Sequence, residues 1–269
     1  DNAKQRFLQF TRELPENELT DDSFYWAGWC EYKQSNFAGA ISYFEKLNER
    51  NSLYPEAQFR IGESYYNLRN YARAQESYKR ALDSTKDTEL IIQLNYSLGW
   101  ASYKSGKYKN ATDSFEKSGD YLDASYMSAI SLYNLGEYVQ AKQYFSKLGT
   151  SDAVMWSGWC EYRQSNYDGA VAIWEKVNTA DSLYAIGLAY FAKKDFEKAR
   201  RILLSIGRII DANQEIAELA GKLHAEIKEK IKDFGLADAI ILASSQINNA
   251  KLITGDEHFK DIRNVIYLV

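Results

Sequence analysis

Three tryptophans are each followed, four residues on, by a cation: Trp29 by Lys33, Trp100 by Lys104 and Trp159 by Arg163. Four residues is about one helical turn, so ring and cation share a helix face. Such a pair is suited to binding: the ring is an apolar anchor and the cation answers a carboxylate, which together fit a peptide. A cation in the last turn of a helix also complements the helix dipole with no ligand present. Other residue types that do chemistry are sparse. His224 and His258 stand apart from one another and make no acid–base pair, so His258 reads as a surface or packing residue and His224 as an exposed one. Cys30 and Cys160 occupy equivalent places in one repeated phrase, which explains them better than a disulfide framework.

Composition narrows the partners. The 269 residues carry 33 Lys and Arg against 37 Asp and Glu, a net charge of -4, so the broad basic field of a nucleic-acid binder is missing and RNA is not an expected partner. With 45% hydrophobic residues the chain can build a core. It has no run of about 18 apolar residues, so no membrane span is expected. The chain is expected to be soluble as given, with a removed leader or anchor left open.

The elements that position the tryptophans are repeated. Residues 26–36 read "WAGWCEYKQSN" and residues 156–166 read "WSGWCEYRQSN". The glycine of that phrase recurs in helix-like surroundings at Gly28, Gly62, Gly99, Gly158 and Gly187, with Ala129 in the remaining place. An aromatic follows each at Phe37, Tyr71, Tyr108, Tyr138, Tyr167 and Phe196, then an alanine at Ala40, Ala74, Ala111, Ala141, Ala170 and Ala199. A large residue comes next, at Phe44, Tyr78, Phe115, Phe145, Trp174 and Leu203. Small residues where helices cross, with rings a turn away, are what antiparallel helix pairs need to interlock. Polar turns such as "KSGK", "NLGE" and "NLRN" separate the two helices.

This spacing resembles the tetratricopeptide repeat family over residues 21–206, in six successive units starting near 21, 55, 92, 122, 151 and 180. Three of those spacings are shorter than the family's usual 34, and only Pro55 fills the usual proline place. The resemblance implies a mainly α fold: a right-handed α-solenoid of about six helix pairs, capped over residues 1–20 by a helix in "KQRFLQFTREL". It further implies a concave groove lined by the first helix of each pair. On that groove it would place Tyr25, Trp29, Tyr32, Lys33, Tyr66, Tyr96 and Trp100 from the first three units. Tyr103, Lys104, Tyr126, Tyr133, Trp159, Tyr162 and Arg163 would continue it. Tyrosines in these rows also serve the family as scaffold packing. The row Trp29, Glu63, Trp100, Ile130, Trp159 and Leu188 is unusual for its large apolar residues, which on a partly wet face mark a surface awaiting a partner. The lysine and asparagine pattern of chaperone-binding members is not reproduced, so capture of a chaperone tail is disfavoured.

After Ile206 the tryptophans and most tyrosines stop, and Ile and Ala take over. Residues 211–230 read as an amphipathic helix with Asp211 as cap, "GLADAIILASSQINN" as a second helix, and "KLITGD" and "VIYLV" as short strands. The segment 207–269 is similar to the second half of a PIN domain, the fold of toxin-type ribonucleases. By that resemblance Asp238 and Asp256 would be acidic ligands of Mg²⁺ or Mn²⁺, with Thr254 and Asn249 nearby; otherwise no cofactor is expected. A complete PIN domain opens on a strand ending in Asp, and no such strand precedes this segment; Asp181 fits the letters but lies in a helix. Two carboxylates alone hold Mg²⁺ weakly.

The sequence therefore predicts a scaffold that binds a protein or peptide in an aromatic groove. The alternative is a metal-dependent ribonuclease with the repeats as adaptor, expected to be inactive. The tail favours a cytoplasmic location, while a periplasmic one would require a removed leader. Two uncovered strands are marginal in water, so the tail is expected to pack on the last repeat, on helix 211–230 or on another chain, which leaves self-association open. An artificial joining of a repeat protein to a PIN fragment is the alternative to a natural remnant.

Overall fold

Small residues set against large ones decide how the repeats pack. The structure, a computed structural model, describes residues 4–7, 9, 18–206, 213–254, 256–260, 262 and 265–267. The chain divides into two compact units, residues 1–203 and 204–269.

The first unit is a helical solenoid of six hairpins among the described residues. Hairpin 1 pairs Glu18–Lys33 with Phe37–Phe44, hairpin 2 Tyr54–Asn67 with Tyr71–Ser84, and hairpin 3 Thr88–Lys104 with Tyr108–Lys117. Hairpin 4 pairs Ala124–Leu135 with Tyr138–Leu148, hairpin 5 Ser151–Arg163 with Tyr167–Trp174, and hairpin 6 Ala180–Ala192 with Phe196–Ile206. In every hairpin but the fourth, where Ala129 takes the place, the glycine of the first helix lies under the large residue of the second. A Cβ at Gly62 would come within 2.4 Å of the Tyr78 ring, and one at Gly158 within 2.1 Å of Trp174. The alanines Ala40, Ala74, Ala111, Ala141 and Ala170 are fully buried at the same crossings.

Each turn inside a hairpin is built the same way. One residue takes the left-handed conformation: Ser35, Arg69, Gly106, Gly136, Ser165 and Lys194, with φ between 58° and 91°. Its neighbour's N–H then reaches back to the helix, as Asn36 does to the Glu31 carbonyl at 2.9 Å and Asn166 to that of Glu161 at 3.0 Å. Asn36, Asn70 and Asn166 go on to cap the second helix, accepting from the N–H of Gly39, Arg73 and Gly169. A ring pair clamps every turn: Tyr32 on Phe37, Tyr66 on Tyr71, Tyr103 on Tyr108, Tyr133 on Tyr138, Tyr162 on Tyr167 and Phe191 on Phe196, with centroids 5.2 to 5.6 Å apart.

The N-terminal helix expected over 4–14 falls largely outside the described residues. Of it, 4–7 and 9 are helical, and Lys4 forms an ion pair with Glu31. Lys142 of hairpin 4 makes the same pair with Glu161 of hairpin 5, so Lys4 does for the first hairpin what a preceding hairpin does for the fifth.

The second unit has its own core. Helices Gln214–Lys228 and Leu236–Ile247 enclose Ile216, Ala220, Phe234, Leu242 and Phe259, with Phe234 meeting Phe259 edge to face at 5.7 Å. The cap of its first helix is Asn213, which accepts from the Ile216 N–H at 2.9 Å. Asp211, the cap expected from sequence, lies outside the described residues. Strands β1, Leu252–Thr254, and β2, Val265–Tyr267, pair in parallel with Leu252 opposite Val265. Leu252 and Val265 pack on the helices of their own unit, which is what makes two short strands tenable.

Candidate functional site

The first helices of hairpins 1 to 3 bring Tyr32, Glu63, Tyr66, Tyr96, Trp100 and Lys104 to one open cleft of about 560 Å³. Glu63 is fixed there: it accepts from the Tyr78 hydroxyl at 2.8 Å and from Ser97 at 3.3 Å. Burial raises the Tyr78 hydroxyl well above its usual range, with the Glu63 charge adding to it, so it stays a donor. Tyr96 is pushed up to about 12 by burial and by its 2.7 Å hydrogen bond to Asp123. Lys104 is exposed, with its ammonium 5.8 Å from the Trp100 ring centre.

A second open cleft, of about 460 Å³, lies on the first helices of hairpins 4 to 6. Tyr126, Trp156, Trp159 and Tyr184 give it four rings, Met155 adds a thioether, and Asp152 and Asp181 bring two carboxylates. Burial lifts the Tyr126 hydroxyl above its usual range, with the Asp152 charge beside it acting in the same direction.

The remaining groove candidates sit elsewhere. Tyr25 is 6% exposed, packed on Phe44 in the core of hairpin 1. Trp29 is half-buried: it stacks on Tyr32 at 5.6 Å, with Lys33 at 4.8 Å and the Arg60 guanidinium at 4.5 Å from its ring. Tyr103, Tyr133 and Tyr162 are the turn clamps already described, and Arg163 donates to the Tyr133 hydroxyl at 3.0 Å. Ile130, placed with the tryptophan row by spacing, is 7% exposed and belongs to the core. Sequence reasoning passed over Ser97, Asp152, Asp181 and Trp156 as lining residues. Trp156 had a signal, because it opens the second copy of the repeated phrase.

In the tail each acid serves its own turn. Asp238 accepts from the Gly235 N–H at 2.8 Å. Asp256 accepts from the His258 N–H at 3.0 Å and lies 2.9 Å from His258 Nδ1, while its own N–H donates to Thr254 Oγ1 at 3.1 Å. Among the described residues no three His, Cys, Asp or Glu side chains gather to hold a metal ion. No described helix is long and apolar enough to cross a membrane.

The hairpin pattern has a match in known families. The tetratricopeptide repeat family matches residues 25–89 and 59–119, and the PIN domain family matches residues 121–265. The PIN match spans more than half of the chain, which belongs to the PIN domain family, while the tetratricopeptide repeat match covers residues 25–119. The PIN match runs over hairpins 4 to 6, whose fold is that of the repeats, before it reaches the α/β part of the chain. Among solved structures, the chain is similar to YrrB, described as a TPR protein with an unusual peptide-binding site, at 20% identity and a TM-score of 0.54, over 70% of this chain and 97% of that one. It is also similar to the C-terminal part of a TPR repeat-containing protein from Cytophaga hutchinsonii, at 18% identity and a TM-score of 0.54, over 89% and 99% of the two chains. A search of curated proteins finds no match.

Proposed function

We propose that the repeats, residues 21–206 with residues 1–20 as their cap, form a protein-interaction scaffold that holds an extended peptide on the face of its first helices. The tail, residues 207–269, is then an appended α/β segment with no part in that binding. The observation that carries this reading is the aromatic cleft of hairpins 1 to 3. Its rings present apolar surface, its one carboxylate is already engaged by Tyr78 and Ser97, and its exposed ammonium at Lys104 has no acidic partner among the described residues. A segment with an apolar side chain and a carboxylate suits that arrangement. The same fold in YrrB, which carries a peptide-binding site, agrees with it.

The test is a peptide selected on the whole chain from a displayed random library. Trp100→Ala should weaken that peptide by about 2 kcal/mol, about 30-fold, with the far-ultraviolet circular dichroism retained. An unchanged affinity would remove the cleft from the account.

A metal-dependent ribonuclease is the second reading, favoured by the PIN match. Asp238 and Asp256 are each taken up in closing a turn, and two carboxylates hold Mg²⁺ weakly. The expected result is no cleavage of single-stranded RNA with Mg²⁺ or Mn²⁺. Cleavage lost in both Asp238→Asn and Asp256→Asn would reinstate the enzyme.

A further inference from the structure

The acid near the start of each first helix is treated differently along the solenoid. In hairpin 1 Asp22 accepts from Asn51 at 3.2 Å, in hairpin 2 Glu56 pairs with Arg60 at 2.7 Å, and Asp123 ahead of hairpin 4 takes the Tyr96 hydroxyl at 2.7 Å. The corresponding Asp152 and Asp181 are exposed and have no ion pair or side-chain hydrogen bond among the described residues. Helix capping does not occupy them either. Thr150 accepts from the Ala153 N–H and Thr179 from the Ser182 N–H, both at 3.2 Å, so the caps are complete without a carboxylate. These two free acids are the ones that line the aromatic cleft of hairpins 4 to 6.

Resting on the scaffold reading above, we infer that this second cleft is a cation site, which receives the ammonium or guanidinium of a lysine or arginine from the bound peptide. Aromatic faces attract a cation through their quadrupole, and carboxylates nearby supply the opposite charge. Trp156, Trp159 and Tyr126 are held in place by their neighbours. Trp156 stacks on Phe145 at 6.0 Å, Trp159 meets Trp174 at 4.9 Å, and Tyr126 meets Phe145 at 5.8 Å. Tyr184, 52% exposed, is the ring left open to a ligand. The complementary charge falls on the other cleft, where Glu63 is engaged and Lys104 is the free charge. The scaffold would thus select a peptide with an acidic or apolar residue for hairpins 1 to 3 and a basic one for hairpins 4 to 6. That polarity would also fix the direction in which the peptide runs.

The experiment titrates the whole ¹⁵N-labelled chain with N-acetyl-lysine methylamide, and separately with the norleucine analogue, which keeps the alkyl chain and lacks the ammonium. The expected result is movement of the indole N–H resonances of Trp156 and Trp159 with the lysine probe alone, weakened by added salt. The Asp152→Asn/Asp181→Asn variant should bind the probe about tenfold more weakly. Tyr184→Ala, at a position too exposed to endanger the fold, should weaken it severalfold. Equal shifts with norleucine, or undiminished lysine binding in both variants, would overturn the cation site. If the lysine probe fails while the selected peptide still depends on Trp100, only the cation site falls. If the lysine probe binds and Trp100→Ala is silent, only the hairpin 1 to 3 cleft falls.

Discussion

Hairpins 1 and 5 carry nearly the same phrase and use it differently. In both, the glutamate accepts from the turn asparagine, Asn36 to Glu31 at 2.6 Å and Asn166 to Glu161 at 2.7 Å, and a serine takes the left-handed turn position. The phrase is therefore first a recipe for a hairpin. Its tryptophans differ because their neighbours differ. Trp29 lies flat on Tyr32, 11° between planes, with Lys33 and Arg60 close to its ring. Trp159 meets Tyr162 nearly edge on, at 76°, and lines an open cleft with two free carboxylates. A repeated sequence fixes the scaffold, while the adjoining repeat decides what each ring can offer a ligand.

Removing the large residue of the second helix should break both hairpins alike. Trp174→Ala and Phe44→Ala are each expected to cost about 3 to 5 kcal/mol in chemical denaturation, since both side chains are fully buried. Filling the glycine beneath them should separate the two. Gly158→Ala drives a Cβ to 2.1 Å from the Trp174 indole nitrogen, which is held by a 3.0 Å bond to the Met155 carbonyl. Gly28→Ala meets the Phe44 ring at 2.8 Å, with no such tether. Both should lose about 1 to 3 kcal/mol, Gly158→Ala the more. Equal stability to the parent would mean that the crossing is looser than described.

How much of this was legible follows from the same contrast. The glycine, alanine and ring rows could be read because a close helix crossing admits few residue types, and each row repeats. The tyrosines of the clamp were legible as a row, but sequence could not say whether they face a ligand or the ring five residues on. The free carboxylates at Asp152 and Asp181 were not legible at all. Whether an acid near a helix start is engaged depends on residues from another hairpin or turn, as with Tyr96 and Asp123. In the tail, Asp238 and Asp256 stood out by resemblance, and their turn-closing hydrogen bonds emerged only from the backbone around them.

Acid should act on both copies of the phrase. The ion pair to Lys4, reinforced by Asn36, holds the Glu31 carboxyl below its usual range. For Glu161 burial pushes the other way, but hydrogen bonds from Lys142 and Asn166 outweigh it and leave the carboxyl low. A carboxyl lowered by folding stabilises the fold above its unfolded value of about 4.3, and that contribution fades as pH falls through the lower folded value. Stability measured against pH should therefore drop below about pH 4.3, and Glu31→Gln with Glu161→Gln should flatten the drop. The smallest effect belongs to the turns. Ser35→Gly and Ser165→Gly relieve a left-handed serine, φ 60° and 61°, and should each raise stability by about 1 kcal/mol in thermal unfolding.

The most direct test of the central claim reads all six tryptophans at once, by the indole N–H resonances of the chain as the library-selected peptide is added. Trp100, Trp156 and Trp159, which line the two clefts, are expected to move, while the fully buried Trp174 and the cation-flanked Trp29 stay close to their starting positions. Shifts confined to Trp29 or Trp26, or none at any tryptophan while the peptide binds, would place the partner outside both clefts and contradict this reading.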